Sequence, residues 1–142
     1  MANDKLTSSP PMILGIGTDI VLVARIEEAL EKYGERFVRR IFTDEERRYC
    51  EAQKHKFQHY AARFAAKEAF SKAIGTGITG DMTWTSVEVV KIRTGEPFLR
   101  VHGKIAEKYG DCTLHVSLSH TSESALAMVA IETDDVALLR KY

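Results

Sequence analysis

The sequence Arg63-Phe64-Ala65-Ala66-Lys67-Glu68-Ala69-Phe70-Ser71-Lys72 carries the strongest structural signal of this chain. On a helix, Glu68 and Lys72 lie one turn apart on a face that is otherwise apolar. A second polar strip of the same helix comprises Arg63, Lys67 and Ser71. A solvated Glu–Lys pair at this spacing would add only roughly 0.2–0.5 kcal/mol. We favour a buried pair because alanine and phenylalanine surround it, and burying charge is costly unless a metal ion or a phosphate completes the electrostatics.

Asp19 offers a second carboxylate. The apolar run from Met12 to Ile16 breaks at Gly17-Thr18-Asp19, which predicts a buried strand with Asp19 at its end. Alone, such an aspartate would be read as a helix cap. Together with Glu68 it supplies the two carboxylates that Mg²⁺ accepts when water and substrate phosphate complete its octahedron. The pair predicts a metal-assisted phosphoryl or pyrophosphate site, whereas Gly15-Ile16-Gly17 is too incomplete to be a phosphate loop.

Composition limits the class of protein. The 142 residues, 44% hydrophobic, suit one domain over residues 12–142 behind a loose polar tail at residues 1–11. Lysine plus arginine equals aspartate plus glutamate at 20 each, so no overall field favours nucleic acid. Cys50 and Cys112 show no metal-ligand or disulfide-framework spacing. No stretch resembles a membrane span or a signal peptide, so we expect a cytoplasmic protein without nucleic-acid or membrane partners.

Helical and strand patterns alternate along the chain, which predicts an α+β fold. We expect a helix from Arg25 to Tyr33 that stops at Gly34, and a capping box at Thr43 and Glu46 that opens the next helix. The long helix should run from about residue 57 to residue 74 and end at glycines. Beyond it we expect a hairpin over residues 84–101, a short helix at 104–109, and strands at 114–120 and 125–131.

The strand around residues 114–120 contains histidines and serines, the residue types of a hydrolase active site. His115 and His120 are five residues apart, so their side chains leave opposite faces of a strand and cannot share a metal ion. Ser117 and Ser119 alternate as the polar face of a strand does, and no nucleophile elbow is present. A hydrolase is therefore disfavoured, and His120, at the strand end, is the histidine free to meet a ligand.

Three segments in this order resemble the bacterial holo-[acyl-carrier-protein] synthases, which are short, stand-alone 4′-phosphopantetheinyl transferases. They are residues 13–21 with Gly17-Thr18-Asp19, residues 63–73 with Lys67-Glu68 and Lys72, and residues 116–121. The resemblance implies an α+β domain with a curved antiparallel sheet packed on the long central helix, and a homotrimer with active sites between subunits. It also implies Mg²⁺-dependent transfer of 4′-phosphopantetheine from coenzyme A to a serine of apo acyl carrier protein, releasing adenosine 3′,5′-bisphosphate, in support of fatty acid biosynthesis.

The same resemblance assigns roles to individual residues. Asp19 and Glu68 would bind Mg²⁺, Lys72 would steady the phosphate or the Glu68 carboxylate, and Glu68 would take the serine proton directly or through a water. The positions that match the coenzyme site of the family are Arg63, Lys67, Ser71, Thr76, Gly77, Pro97, His120 and Thr121, the last three contributed across the subunit boundary. At Gly95-Glu96-Pro97 the family commonly has lysine in the middle, so the coenzyme contacts of this turn differ.

An arginine cluster is the remaining candidate for a partner surface. Arg25, Arg36, Arg39 and Arg40 are interspersed with glutamates, and alone they would fit an ordinary solvated helix. By resemblance, Arg25, Arg36 and Arg40 would meet the acidic recognition helix of the carrier protein, with Phe37 as an apolar anchor.

Parts of the sequence are compatible with two other functions. A metal-dependent nuclease also combines aspartate, glutamate and lysine, but its lysine typically follows the acid by two residues, and zero net charge disfavours a DNA channel. A carrier-binding or coenzyme-binding module without turnover is the other alternative. Against it stands the presence of Asp19, Glu68 and Lys72 together.

Overall fold

The computed structural model describes residues 10–139; residues 1–9, most of the predicted tail, and residues 140–142 lie outside the described part. The strands are β1 (Met12–Leu22), β2 (Val87–Lys91), β3 (Pro97–Val101), β4 (Thr113–His120) and β5 (Ser124–Thr133). The helices are α1 (Val23–Ile41), α2 (Asp44–Glu51), α3 (Lys56–Ala73), α4 (Gly103–Tyr109) and α5 (Val136–Leu139), with a 3₁₀ turn at Trp84–Ser86.

The strands form two antiparallel sheets, and the α+β class is confirmed. One sheet has the order β1-β5-β4 and packs on the long helix α3. The other is the predicted hairpin of β2 and β3, in which Val87 pairs with Val101 and Lys91 with Pro97. The resemblance implied one curved sheet; among the described residues β3 packs beside β4 without joining its ladder.

Small residues let β1 and β5 approach α3 closely. A Cβ atom on Gly17 would lie 1.9 Å from the carbonyl oxygen of Ala69, and one on Gly15 would lie 1.8 Å from that of Ala73. The opposing helix face and the neighbouring strand are also built of buried small residues: Ala62, Ala65, Ala66, Ala69 and Ala73 on α3, and Ala125 and Ala127 on β5. Gly15 and Gly17 therefore serve strand–helix packing, which agrees with the rejection of a phosphate loop.

The helix ends follow the signals in the sequence. Thr43 and Glu46 form the predicted capping box, with the Glu46 N–H donating to Thr43 Oγ1 at 3.2 Å and the Thr43 N–H to Glu46 Oε1 at 3.0 Å. At the end of α3 the amides of Gly75 and Thr76 donate to the carbonyls of Lys72 and Ser71. The predicted stop at Gly34 is a break within α1 (φ 66°, ψ −154°), after which the helix resumes.

One boundary prediction was wrong. β1 does not stop at Asp19; it continues to Leu22, with Asp19 paired to Ala127 and Val21 to Ala125 of β5. The partner strand supplies hydrogen bonds through the Gly17-Thr18-Asp19 segment, which the apolar pattern of β1 alone could not show. The single domain over residues 12–142 stays a prediction. No helix among residues 10–139 has the length and apolar character needed to cross a membrane.

Candidate active site

Asp19 lies on the face of β1 that meets α3, because side chains alternate along a strand and Gly17 and Val21 face the same way. The close approach at Gly17 brings its carboxylate to Lys72, whose Nζ lies 3.2 Å from Asp19 Oδ1 and donates to the Thr18 carbonyl at 3.0 Å. Glu68 lies one helical turn before Lys72. The strand and the helix thus bring together the three residues that the sequence singled out.

The charge balance around Glu68 is unusual. Burial and the negative charge of Asp19 raise the pKa of Glu68 above its usual range, while Lys72 lowers it. The carboxyl is half-buried rather than enclosed, and the side chain of Lys72 is 53% exposed. Our expectation of a fully buried Glu68–Lys72 pair was therefore wrong: this strip of α3 borders an open site, where a ligand can reach the charges.

The buried charges lie on the other polar strip of α3. Arg63, Lys67 and Ser71 are almost completely inaccessible. Lys67 Nζ pairs with Glu46 Oε1 at 2.8 Å, and burial lowers the pKa of Lys67 while Glu46 opposes that shift. The Ser71 hydroxyl donates to the Glu68 carbonyl within the helix at 2.7 Å. Their contact with a coenzyme stays a prediction, and their interior positions favour structural roles for Lys67 and Ser71.

Arg63 begins a row of basic and aromatic side chains. Its guanidinium lies 4.1 Å from the ring centre of Tyr49, and its buried Nε has no hydrogen-bond partner within the described chain. Tyr49 contacts His59, and the His59 ring lies 5.1 Å from that of His120, whose Nδ1 is 2.9 Å from Gln58 Oε1. Positive charge and an unsatisfied N–H in one row fit an anionic ligand.

The other predicted coenzyme residues lie on different elements. Thr76 and Gly77 follow the end of α3, with the amides of both directed at the Ser71 carbonyl. Pro97 begins β3 of the two-stranded sheet. Thr121, in the turn between β4 and β5, accepts hydrogen bonds from the amides of Glu123 and Ser124. Pro97 and Thr121 thus lie outside β1 and α3, the two elements that hold the acid pair.

A cleft of about 360 Å³ opens between α1, α3 and the 3₁₀ turn. We call it the α1–α3 cleft; it is lined by Val21, Arg25, Ile26, Ala29, Phe37, Arg40, Ile41, Phe64 and Trp84. Three of the four predicted carrier residues are among these, and Arg36 is exposed outside it. Phe64 lies one helical turn before Glu68, and Val21 is two residues after Asp19 on the same face of β1. The cleft therefore adjoins the acid pair.

Several residues at or near the site were not predicted from the sequence. Glu46 was read only as a capping residue, and Trp84 only as the beginning of a strand. His59 could have been found, because His59, Arg63 and Lys67 follow one another at i,i+4 spacing on the same strip. Ser117 and Ser119 lie on the exposed face of the sheet, whereas His120 meets Gln58 of α3. Neither Ser117 nor Ser119 therefore shares a face of β4 with His120.

Comparison with known proteins identifies the family. Residues 15–129 match the sequence profile of the 4′-phosphopantetheinyl transferase superfamily. A holo-[acyl-carrier-protein] synthase of Geobacter metallireducens is 48% identical over 124 residues, covering 85% of this chain and 98% of the relative. One of Koribacter versatilis is 46% identical over 124 residues, covering 85% and 99%.

Solved structures agree with the sequence relatives. The holo-[acyl-carrier-protein] synthase of Neisseria meningitidis has a TM-score of 0.78 at 37% identity, covering 86% of this chain and 100% of its own. That of Bacillus anthracis, in complex with CoA (3′,5′-ADP), has a TM-score of 0.74 at 39% identity, covering 86% and 98%. The chain belongs to the 4′-phosphopantetheinyl transferase superfamily. Within that superfamily its enzymatic class is holo-[acyl-carrier-protein] synthase, as the motifs predicted.

Proposed function

We propose that the chain transfers 4′-phosphopantetheine from coenzyme A to a serine hydroxyl of apo acyl carrier protein, in a Mg²⁺-dependent reaction that releases adenosine 3′,5′-bisphosphate. The observation that carries this proposal is the meeting of Asp19, Glu68 and Lys72 where β1 crosses α3. Two carboxylates and an ammonium at one open site suit a pyrophosphate and its metal ion. The bound CoA of the Bacillus anthracis relative supports the choice of substrate.

The donor set fits Mg²⁺. Burial and the negative charge of Asp19 raise the pKa of Glu68, and a divalent cation would relieve the repulsion between the two carboxylates. Among residues 10–139 no cluster of three potential metal ligands occurs, so the protein would supply two carboxylates, as Mg²⁺ sites with substrate phosphates commonly do. When bound, Mg²⁺ would neutralise charge that develops on the pyrophosphate.

The residues of the chain account for the remaining steps. The serine oxygen forms a bond to the phosphorus that bears pantetheine, and the bond from that phosphorus to the bridging oxygen breaks, so adenosine 3′,5′-bisphosphate leaves. Glu68, half-buried beside the open site, accepts the serine proton directly or through a water. Lys72 holds positive charge beside the pyrophosphate.

The row that begins at Arg63 suits another phosphate of the coenzyme. The unpartnered Nε of Arg63 provides a donor and its guanidinium a positive charge, and Thr76 and Gly77 follow the end of α3 beyond Lys72. The Helicobacter pylori relative, at 30% identity and a TM-score of 0.71 over 82% of this chain and 98% of its own, is solved in complex with coenzyme A, which supports coenzyme A as the ligand. Pro97, His120 and Thr121 would act on the site of a neighbouring subunit.

The α1–α3 cleft suits the carrier protein. Arg25 and Arg40 are exposed at its edge, Phe37 lines its wall, and Arg36 extends the basic surface along α1. An acidic helix would be attracted to this edge, and an apolar side chain would fill the cleft. Placement of the chain in fatty acid biosynthesis and in a homotrimer rests on the resemblance, and its placement in the cytoplasm rests on the sequence patterns described above.

The test is the mass of the carrier. Apo acyl carrier protein incubated with coenzyme A, Mg²⁺ and the native chain should gain the mass of one phosphopantetheine, and chelation of Mg²⁺ should prevent the gain. Asp19→Asn and Glu68→Gln should each abolish it, whereas Glu107→Gln, at an exposed carboxylate of α4, should not. An unchanged carrier mass with the native chain would contradict the proposal. Coenzyme A binding without turnover would favour a binding module, and Mg²⁺-dependent plasmid cleavage would favour a nuclease.

A further inference from the structure

Lys67 is next to Glu68 in sequence but is fully enclosed in the interior. Its side chain is 0% exposed. The ammonium pairs with Glu46 Oε1 at 2.8 Å and donates to the carbonyls of Trp84 at 2.8 Å and Val87 at 2.7 Å. An ammonium has three N–H donors, and these three acceptors satisfy them all. Lys67 therefore has no donor left for a phosphate.

Glu46 is equally committed to the interior. Its side chain is 0% exposed, Oε1 accepts from the Thr43 amide and Oε2 from the Val89 amide at 2.9 Å. The buried pair thus ties α3 to the beginning of α2, to the 3₁₀ turn and to β2. Removing one partner of such a pair is strongly destabilising, because the other charge is left buried without compensation.

The hydrogen bond from Lys67 to the Trp84 carbonyl connects Lys67 to a residue that lines the α1–α3 cleft. The Trp84 ring stacks on Phe64, with ring centres 4.8 Å apart and planes inclined by 25°. Both rings line the cleft. Residues 74–83, between α3 and the 3₁₀ turn, contain no helix or strand, so Trp84 is held by the 3₁₀ turn that it begins, which leads directly into β2, and by contacts of this kind. Lys67 supplies one through the Trp84 carbonyl.

We propose that Lys67 is a positioning residue that holds Trp84 in the wall of the α1–α3 cleft and thereby sets the affinity for the carrier protein, without touching coenzyme A. The inference rests on the proposed use of this cleft as the carrier site. It separates Lys67 from Glu68 and Lys72 of the same motif: the latter two act at the reacting phosphates, and Lys67 acts through a tryptophan.

Lys67→Met tests the proposal, since it removes the ammonium and keeps an apolar stem of similar length. We expect the KM for the carrier to rise about tenfold or more, with kcat at saturating carrier within about twofold and the KM for coenzyme A unchanged. Trp84 is the only tryptophan of the chain, so its fluorescence reports on the wall directly. Quenching of that fluorescence by acrylamide should increase. Lys104→Met, which loses only the exposed pair with Asp81, is the matched control.

A double variant separates positioning from stability. Lys67→Met with Glu46→Gln removes both buried charges, so most of the lost stability should return. The Trp84 carbonyl still lacks its donor, so the raised carrier KM and the increased quenching should persist. Trp84→Leu, which removes the ring while leaving the ion pair, should raise the carrier KM in the same way.

Each other outcome overturns the proposal. A raised KM for coenzyme A with an unchanged carrier KM would make Lys67 a coenzyme ligand. Recovery of the carrier KM in the double variant, an unaffected carrier KM in Trp84→Leu, or failure of both Lys67 variants to fold would leave Lys67 a purely structural role. Failure of the proposed function is distinguishable, because the native chain would then transfer nothing, while Trp84 quenching would still measure the effect of Lys67 on the tryptophan.

Discussion

Gly17 determines how closely Asp19 approaches Glu68 and Lys72. The atoms that a Cβ would meet are backbone atoms of α3, the Ala69 carbonyl oxygen at 1.9 Å and the Ala73 nitrogen at 2.8 Å, and these cannot rotate away as a side chain can. Gly17→Ala must therefore push β1 away from α3. We expect a loss of about 3 kcal/mol in unfolding free energy and a larger loss in transfer rate, because the acid pair separates.

Urea unfolding and the carrier mass assay check this prediction. The control is Thr113→Ala, at the exposed start of β4, which should leave both measurements near those of the native chain. Native stability together with native activity in Gly17→Ala would show that the contact is not close in solution.

His59 makes stability depend on pH. Burial lowers its pKa from 6.5 to about 4, and the neighbouring His120 and Arg63 add to the shift. Between these values the unfolded chain binds more protons than the folded chain, so this group reduces stability as the pH falls from 6.5 to about 4 and not further below. His59→Gln should lose less stability than the native chain between about pH 7.5 and about pH 5, measured by urea unfolding. Equal losses of stability in His59→Gln and the native chain would contradict the lowered pKa of His59.

The two polar strips of α3 show what a helical pattern can and cannot predict. Spacing alone correctly separated Glu68 and Lys72 from Arg63, Lys67 and Ser71. Which strip is buried depends on Glu46, whose carboxylate comes from another helix and neutralises Lys67. No local pattern contains that information, so the sequence wrongly predicted Glu68 and Lys72 as the buried pair.

At the scale of elements, the break in α1 creates the partner surface. Gly34 adopts φ 66° and ψ −154°, a region essentially restricted to glycine, so the second half of the helix leaves the axis of the first. Arg25 of the first half and Arg40 of the second then line the same cleft. The sequence predicted a stop at Gly34 but not the return of the chain, since that direction is set by packing.

Reversing charge on this surface should affect the carrier alone. In Arg36→Glu with Arg40→Glu we expect the KM for acyl carrier protein to rise about tenfold or more and the KM for coenzyme A to stay within about twofold, because the altered side chains are exposed on α1. The control Arg93→Glu with Lys104→Glu makes the same change in net charge elsewhere. Equal losses for both substrates would mean that the arginine surface is misassigned.

Local signals were sufficient for most elements because caps and periodic patterns lie within the segment itself. The Thr43–Glu46 capping box, the bounds of α3 and the β2–β3 hairpin are confirmed within a few residues. β1 was predicted too short, because its second half is stabilised by pairing with β5, more than a hundred residues away. Strand pairing of this kind is decided by tertiary contacts, and the sequence of one strand does not show it.

At the scale of the whole molecule, the sheet β1-β5-β4 has one face packed on α3 and another that is open. Large apolar side chains are exposed on the open face, among them Ile16 at 62% and Ile20 at 68%, and the neighbouring Leu126 and Met128 are also exposed. The register places Ile20 beside Leu126 and Ile16 beside Ala130, so these side chains form one patch. A contiguous patch of this kind is typical of a protein–protein interface.

We expect this face to join the subunits of the predicted homotrimer, and Ile20→Glu to break it. A charge placed in the centre of a buried apolar interface costs several kcal/mol, whereas in a monomer the side chain would stay in water. The native chain should show three times the chain mass in sedimentation equilibrium, and Ile20→Glu a single chain with folded circular dichroism and little transfer activity. Ile92→Glu, at an exposed isoleucine after β2, should remain trimeric and active. A monomeric native chain with full activity would show that the site is complete within one subunit, and that Pro97, His120 and Thr121 have no role across a boundary.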